Sequence, residues 1–303
     1  MNSDIQKTIR CAVVTGRNKG IGFEICKQLA SVVLTTKDVT RGLEAVENLK
    51  ISFGITNVVF HELDVMNPIT IFSLADFVQN HYGKLDILVN NDGISGIITD
   101  SAGFMVMVQA LGEDKNKEKP NLKQMVQQTY ESAVECLQTN YFGVKSVTKT
   151  LIPLLQLCDS VRIVNVSSRG GKLKGLITHI SNKKVLQMLS DGDGLTKDKV
   201  DESMNIFFHD LKEDSLVTKG RPSYIPAYKI SKVCLNSYTR ILAREFPTFR
   251  INCVCPSRVK TDINYNTGFL TTAEGAETIV NLAFVLDDGP SGLYFTNGEV
   301  TPF

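Results

Sequence analysis

The feature that most limits what this chain can fold into is the junction Thr15-Gly16-Arg17-Asn18-Lys19-Gly20-Ile21-Gly22. A β-branched apolar run, Cys11–Thr15, leads into it, and a helical pattern over Gly20–Ala30 follows at once. Small residues here let the backbone turn and approach a charged group closely. The amides and dipole of the helix N-terminus then favour an anion such as a pyrophosphate. A glycine triplet alone also describes a plain tight turn. Between a first strand and a first helix it reads as a phosphate-binding βα unit, built from Thr15, Gly16, Asn18, Lys19, Gly20, Ile21 and Gly22.

Downstream, short β-branched runs alternate with longer helical patterns, the mark of βαβ units and a parallel sheet. Strands are expected at Val32–Thr36, Val58–Leu63, Leu85–Asn90, Val161–Ser167 and Arg250–Cys255. Helices are expected at Ile69–Tyr82, about Thr129–Leu155 and about Tyr228–Arg244. Several strands are apolar almost throughout, as when helices cover both faces. Two stretches break the rhythm: Gly96 to about Gln128, with the charged piece EDKNKEKPNLK, and Thr178 to about Pro222, with a helical run near Met204–Leu211. With no internal repeat and no dividing linker, one α/β domain over 1–303 is expected.

Composition narrows the function classes. The 303 residues carry 33 basic and 32 acidic side chains, a formal charge of +1, which gives no electrostatic case for nucleic acid or a membrane surface. No apolar run approaches the roughly 18 residues that span a bilayer, and the N-terminus does not read as a signal peptide. The seven cysteines are scattered and never spaced C-x-x-C, so neither a disulfide framework nor a metal site is expected. The reading is of a reduced, cytoplasmic protein.

In an open parallel sheet, ligands bind beyond the carboxyl ends of the strands. The second strand ends Thr35-Thr36-Lys37-Asp38. A cofactor without a 2′-phosphate usually meets an acidic residue there, whereas Lys37 here comes first and Lys19 lies in the glycine loop. Two cations flanking a 2′-phosphate point to NADPH; Asp38 is the counter-signal, and both lysines also read as solvated surface residues. Asp64 and Val65 end the third strand, where the carboxylate suits an adenine amino group. Asn90-Asn91-Asp92-Gly93 ends the fourth.

Tyr228-Lys229-Ile230-Ser231-Lys232 sets a phenol and an ammonium four residues apart on one helix face. A phenol near pKa 10 is a poor acid–base group at neutral pH, and a nearby cation helps by favouring the phenolate. Ser168 leaves the fifth strand in Val164-Asn165-Val166-Ser167-Ser168-Arg169-Gly170-Gly171, and Asn140 lies inside the long helix, in Thr139-Asn140-Tyr141-Phe142-Gly143. Singly these are weak signals. In this order after a glycine loop they are not a chance set.

Over essentially its whole length the sequence resembles the short-chain dehydrogenase/reductase family, and within it a plant branch related to animal carbonyl reductases. NKGIGFEICKQLA, GKLDILVNN, SVTKTLIPLL, RIVNVSS, INCVCP and DDGPSGLYF carry that resemblance. It implies a Rossmann-type doubly wound parallel sheet of about seven strands. It implies Tyr228 as proton donor, Lys232 as its pKa-lowering partner and ribose ligand, Ser168 as carbonyl orienter and Asn140 as part of a proton-relay water site. Asn91, Gly93, Pro256, Val259 and Thr261 join the cofactor set. The implied reaction is NADPH-dependent reduction of a small-molecule ketone, salutaridine- or menthone-like. Ile97, Thr99, Thr267 and Phe269, with Ser168 and Tyr228, are expected to meet the substrate, and the loop region of about 178–222 is expected to help close the pocket.

The sequence also departs from the family pattern. Asp92 stands where Ala is usual, Ser257 where Gly is usual, and Arg17 where a small residue is usual. The connection at Leu29–Val33 is about five residues shorter than in relatives, so the first helix is expected to unwind early. Two other readings therefore stay open: a cofactor-binding protein with little catalysis, degraded through Arg17, Asp92 and Ser257, and an ene-reductase of the same branch. The Gly96–Gln128 insertion is expected to cover the long helix on which relatives dimerise, leaving a monomer.

Overall fold

The computed structural model describes residues 10–16, 19–29, 31–112, 125–173, 183–213 and 225–303. Arg17 and Asn18, the whole charged piece EDKNKEKPNLK, and residues 174–182 and 214–224 of the second interrupting stretch lie outside them.

Eight strands form one sheet in the order β3-β2-β1-β4-β5-β6-β7-β8. They are β1 (Ala12–Val14), β2 (Val32–Thr36), β3 (Val58–Glu62), β4 (Ile87–Asn90), β5 (Arg162–Val166), β6 (Arg250–Cys255), β7 (Tyr294–Thr296) and β8 (Glu299–Val300). All neighbours pair in parallel except β8, a two-residue strand antiparallel to β7. That short edge strand is the difference from the seven expected. The reversal of strand order between β1 and β4 opens the crevice in which such sheets bind ligands.

Alternate strand residues feed two cores. Val13, Val33, Leu88, Ile163 and Ile251 face α3 (Pro68–Tyr82), α5 (Tyr130–Leu137), α6 (Val144–Leu155) and α9 (Pro226–Glu245). Ala12, Val14, Leu34, Ile87, Val89 and Val164 face α1 (Gly20–Gln28), α2 (Val39–Phe53) and α10 (Thr272–Ala283). The early end of α1 is real: Leu29 is already extended, with φ −90° and ψ 150°, and Ser31 pairs through its carbonyl with the Ala12 amide. Leu29 is buried, so the short connection still seals the lower edge of that core.

The long helix expected from Thr129 is α5 and α6 joined by a π-helical segment, Gln138–Gly143. Thr129 caps it, accepting from the Ser132 amide at 3.1 Å while the Ser132 hydroxyl accepts from the Thr129 amide at 3.0 Å.

The two interrupting stretches divide their work differently from expectation. In the first, α4 (Ser101–Gly112) packs Met107 against Ile97, Phe104, Val126 and Ile225, on the ligand side of the sheet. In the second, α7 (Lys183–Ser190) and α8 (Lys197–Lys212) pack on α9, and α8 also meets α5. Val200, Met204 and Phe207 of α8 are fully buried, each worth about 1.5–3 kcal/mol of apolar burial. Asp201 of α8 also accepts from Tyr141 at 2.9 Å and pairs with Lys145 at 2.5 Å. Among the described residues, α7 and α8 of the second stretch cover the long helix and α9.

Candidate active site

A buried polar network aligns the strand ends that build the site. Asn90 donates to Thr148 at 3.1 Å and to Asn165 at 2.8 Å, and Asn165 donates to Thr239 of α9 at 2.9 Å. Ser167 donates to Asn236 at 2.6 Å, which returns a bond to the Gly171 carbonyl at 2.8 Å. Buried side-chain amides of this kind carry directional information that apolar contacts lack. They fix β4, β5 and α9 relative to one another, and with them Asn91, Ser168 and Tyr228.

The glycine loop is stapled to β4. The Thr15 hydroxyl accepts from the amides of Asn91 and Asp92 at 3.1 and 3.2 Å, and Asn91 donates to the carbonyls of Thr15 and Gly16 at 3.1 and 2.8 Å. Gly16 has φ +61°, a conformation open to glycine, and the Asp92 side chain fills the space a Cβ would take. Lys19 is the N-cap residue of α1, yet its side chain makes no capping bond. Its ammonium pairs with Asp262, which follows β6 and so lies across β1 from the end of β2. Lys19 is therefore turned away from the place expected for a 2′-phosphate. Ile21 lines the cleft and Gly22 is buried within α1.

The four expected catalytic residues converge. Tyr228 and Lys232 lie one turn apart on α9, the Lys232 Nζ 5.8 Å from the Tyr228 ring centroid. Lys232 is buried and donates to the Val166 carbonyl at 2.9 Å, which holds its stem against the end of β5. Ser168 caps a 3₁₀ turn, Arg169–Gly171, accepting from the Gly170 amide at 3.2 Å. A Cβ at Gly171 would come within 2.7 Å of the Asn236 amide nitrogen and 2.9 Å of the Lys232 carbonyl, so glycine is what lets this turn lie against α9. The second glycine of the SSRGG run thus brings Ser168 to the Tyr228 helix.

Asn140, wholly buried in the π-helical segment, accepts from the Ile94 amide at 2.8 Å and donates to the Ile94 carbonyl at 2.9 Å and Ser231 at 3.1 Å. Ser231 in turn donates to the Tyr228 carbonyl at 2.7 Å. π-Helical segments are rare and concentrate at functional sites. Cys136, 3.3 Å from the Asn140 amide, has its thiol pushed up to about 12, chiefly by burial with Lys232 opposing. It is a neutral neighbour and not a competing base.

Ser168, Tyr228 and Lys232 open on a cavity of about 420 Å³, and Asn140 is buried outside its lining. Gly20, Asn91, Gly93, Pro256, Val259 and Thr261 of the expected cofactor set line it, as do Ile97, Ser168, Tyr228 and Lys232. Lys37, Asp64 and Val65 lie at the ends of β2 and β3, outside this cavity. Asp64 accepts from the Met66 amide at 2.9 Å, and Val65 is buried.

Three expected substrate contacts are absent from the cavity wall. Thr99 is engaged outside it, donating to the Met125 carbonyl at 2.8 Å and accepting from Tyr265 at its own carbonyl. Thr267 donates to the Asn264 carbonyl at 2.7 Å, and Phe269 is 63% exposed. The loop that carries them folds back on its own start, where the amides of Phe269 and Leu270 donate to the Arg258 carbonyl. The described part of the second stretch, α7 and α8, contributes nothing to the wall either.

Sequence reasoning missed the wall that replaces them: Phe104, Met107 and Val108 of α4, Ile225 before α9, and Ile263 and Asn264. The signal was the apolar run FMVMV at residues 104–108 inside a stretch otherwise read as insertion. Ser257 also lines the cavity, with φ +66° in the left-handed region, and its hydroxyl bonds Asn297.

All seven cysteines are free thiols, and among the described residues no helix is long and apolar enough to cross a membrane. The short chain dehydrogenase family model matches residues 10–191. Salutaridine reductase of Papaver somniferum is 54% identical over 304 residues, covering 97% of this chain and 96% of that protein. (+)-Neomenthol dehydrogenase of Capsicum annuum is 48% identical over 311 residues, covering 97% and 98%. The solved structure of salutaridine reductase from Papaver somniferum superposes with a TM-score of 0.86, covering 94% of this chain and 99% of that one. The glycine loop, the Ser168–Tyr228–Lys232 grouping and this whole-length similarity lead to one conclusion: the chain belongs to the short chain dehydrogenase family of oxidoreductases, in its plant branch.

Proposed function

We propose that the protein is an NADPH-dependent carbonyl reductase acting on a cyclic ketone of terpenoid or alkaloid size. The observation that carries this reading is the convergence of Ser168, Tyr228 and Lys232 on one wall of a cavity whose other end is the glycine loop. The names of the relatives, salutaridine reductase and (+)-neomenthol dehydrogenase, support the substrate class.

The residues fit a dinucleotide cofactor. The side chain of the N-cap residue Lys19 makes no capping bond to α1, and the amides at such a helix N-terminus suit an anion. Thr15, Gly16, Gly20, Ile21 and Asn91 would hold the pyrophosphate side, and Pro256, Val259, Thr261 and Lys232 the nicotinamide side. When bound, the cofactor supplies the hydride. Lys37 favours NADPH, and Asp38 does not oppose it strongly: its carboxylate caps α2, accepting from the Arg41 amide at 3.0 Å, and pairs with the Arg41 guanidinium at 3.2 Å.

The chain's own chemistry is proton transfer and orientation. The Ser168 hydroxyl donates to the carbonyl oxygen and sets its direction. Tyr228 gives its phenolic proton to the oxygen as alkoxide character develops, the step for which general acid catalysis contributes about 10²–10⁴-fold. Lys232 stabilises the phenolate left behind, and Asn140 holds the Ile94 backbone that borders the relay path. Retention of Tyr228 favours carbonyl over C=C reduction, because oxygen protonation needs that phenol. Asp92 over the glycine loop favours a second reading, a cofactor-binding protein of low activity.

We also infer a monomer, since α8 packs on α5 and α9, and a cytoplasmic location, with which seven free thiols agree. The test of function is NADPH oxidation against a panel of cyclic ketones, with a separate titration of cofactor binding. Reduction of at least one cyclic ketone is expected. Tight NADPH binding with no carbonyl reduced would favour the second reading.

A further inference from the structure

The cavity wall carries three cationic side chains, Arg169, Lys232 and Arg258, and no carboxylate among the described residues. Lys232 has its place beside Tyr228. The other two serve no step derived above. Arg169 immediately follows Ser168 at the end of β5, and Arg258 follows Ser257 at the end of β6, the neighbouring strand. Both are partly buried. Arg258 makes only a long bond, 3.4 Å, to the Thr267 carbonyl, and no carboxylate among the described residues pairs with it. Apolar side chains, among them Ile97, Phe104 and Met107, line the same cavity.

A guanidinium held partly out of water beside apolar side chains interacts more strongly with an anion than one in bulk solvent. Its planar fork matches a carboxylate through two parallel hydrogen bonds. The phosphates of a dinucleotide belong at the other end of the cleft, against the α1 N-terminus. We propose that the substrate is a ketone bearing a carboxylate, its apolar skeleton against Phe104 and Met107 and its anionic group held by Arg258. This rests on the carbonyl reductase reading and narrows it: charge, not only shape, selects the ketone.

The test compares 4-oxocyclohexanecarboxylate with its methyl ester, which keeps the ring and the ketone but lacks the charge. With NADPH, wild type is expected to show kcat/KM at least about 10-fold higher for the acid, the scale of one charge-assisted hydrogen bond. Arg258→Met should abolish that preference while keeping ester reduction and NADPH affinity within about three-fold, and Arg258→Lys should restore part of it. Added salt should raise KM for the acid alone. An ester reduced as well as the acid overturns the proposal. So does an Arg258→Met variant whose loss is equal for both ketones, or tracks lost NADPH affinity, which would place the guanidinium on the cofactor.

If neither ketone is reduced, calorimetric binding to the complex with NADP⁺ decides. Binding of the acid that Arg258→Met removes upholds charge recognition while the reductase reading falls, and no binding overturns the proposal.

Discussion

The Asp92 side chain lies over Gly16, in the space where any other residue at position 16 would place its Cβ. The carboxylate therefore sits at the mouth of the α1 N-terminus, beside the place of an anionic pyrophosphate. Two negative groups so placed repel through partly screened solvent. Asp92→Ala is expected to tighten NADPH binding by about three-fold or more at low salt and less at physiological salt. A fluorescence titration checks this. Unchanged or weaker binding at low salt would mean that Asp92 shapes the loop and does not oppose the cofactor.

Cofactor choice rests on the end of β2. With Asp38 committed to the α2 cap and to Arg41, Lys37 is the residue at that strand end proposed to distinguish a phosphate from a hydroxyl. Lys37→Ala is expected to weaken NADPH binding by about 5- to 30-fold, on the scale of a charge-assisted hydrogen bond, and to leave NADH nearly unchanged. Both dissociation constants are measured for both proteins. Equal losses for the two cofactors would move the 2′-phosphate site elsewhere.

Ser257 tests backbone strain at the cavity. Its φ of +66° costs a residue with a Cβ about 1–2 kcal/mol. Ser257→Ala and Ser257→Gly both remove the hydroxyl bonded to Asn297, but only glycine relieves the strain. In urea unfolding the glycine variant is expected to be the more stable of the two by about 1 kcal/mol. Equal stability would mean that the loop relaxes to another conformation when the hydroxyl is lost.

The burial of Val200, Met204 and Phe207 of α8 leaves the α5–α9 face covered within one chain. Light scattering is expected to give a mass near 33.5 kDa that does not change with concentration. A concentration-independent mass of twice that value would require a different pairing face.

Much of this fold is legible in the sequence because parallel strands buried on both faces are apolar along their length. Val32–Thr36 and Arg250–Cys255 match their strands without adjustment. α2 and α10 are absent from the sequence reading although their buried residues, Gly42, Ala45 and Leu49 in one and Gly275, Ala276, Ile279 and Val280 in the other, recur at helical spacing. At the site, Ser168, Tyr228 and Lys232 are legible because their spacing and order carry the chemistry. Phe104 and Met107 are not, since only the docking of α4 across the cleft gives them a role. The same holds for Thr267 and Phe269, whose loop folds back on Arg258 and takes them off the wall.

The account depends most on Tyr228 acting as the proton donor. Tyr228→Phe keeps the ring and its packing beside Gly170 and removes only the hydroxyl. With a cyclic ketone that wild type reduces, turnover is expected to fall by about 10² or more while NADPH affinity stays within a few-fold. Lys232→Ala should differ in kind, losing turnover and cofactor affinity together. Single-turnover NADPH oxidation by wild type and Tyr228→Phe is the direct measurement. A drop of that size with cofactor binding intact supports proton donation by the phenol, and a Tyr228→Phe variant as fast as an active wild type contradicts it.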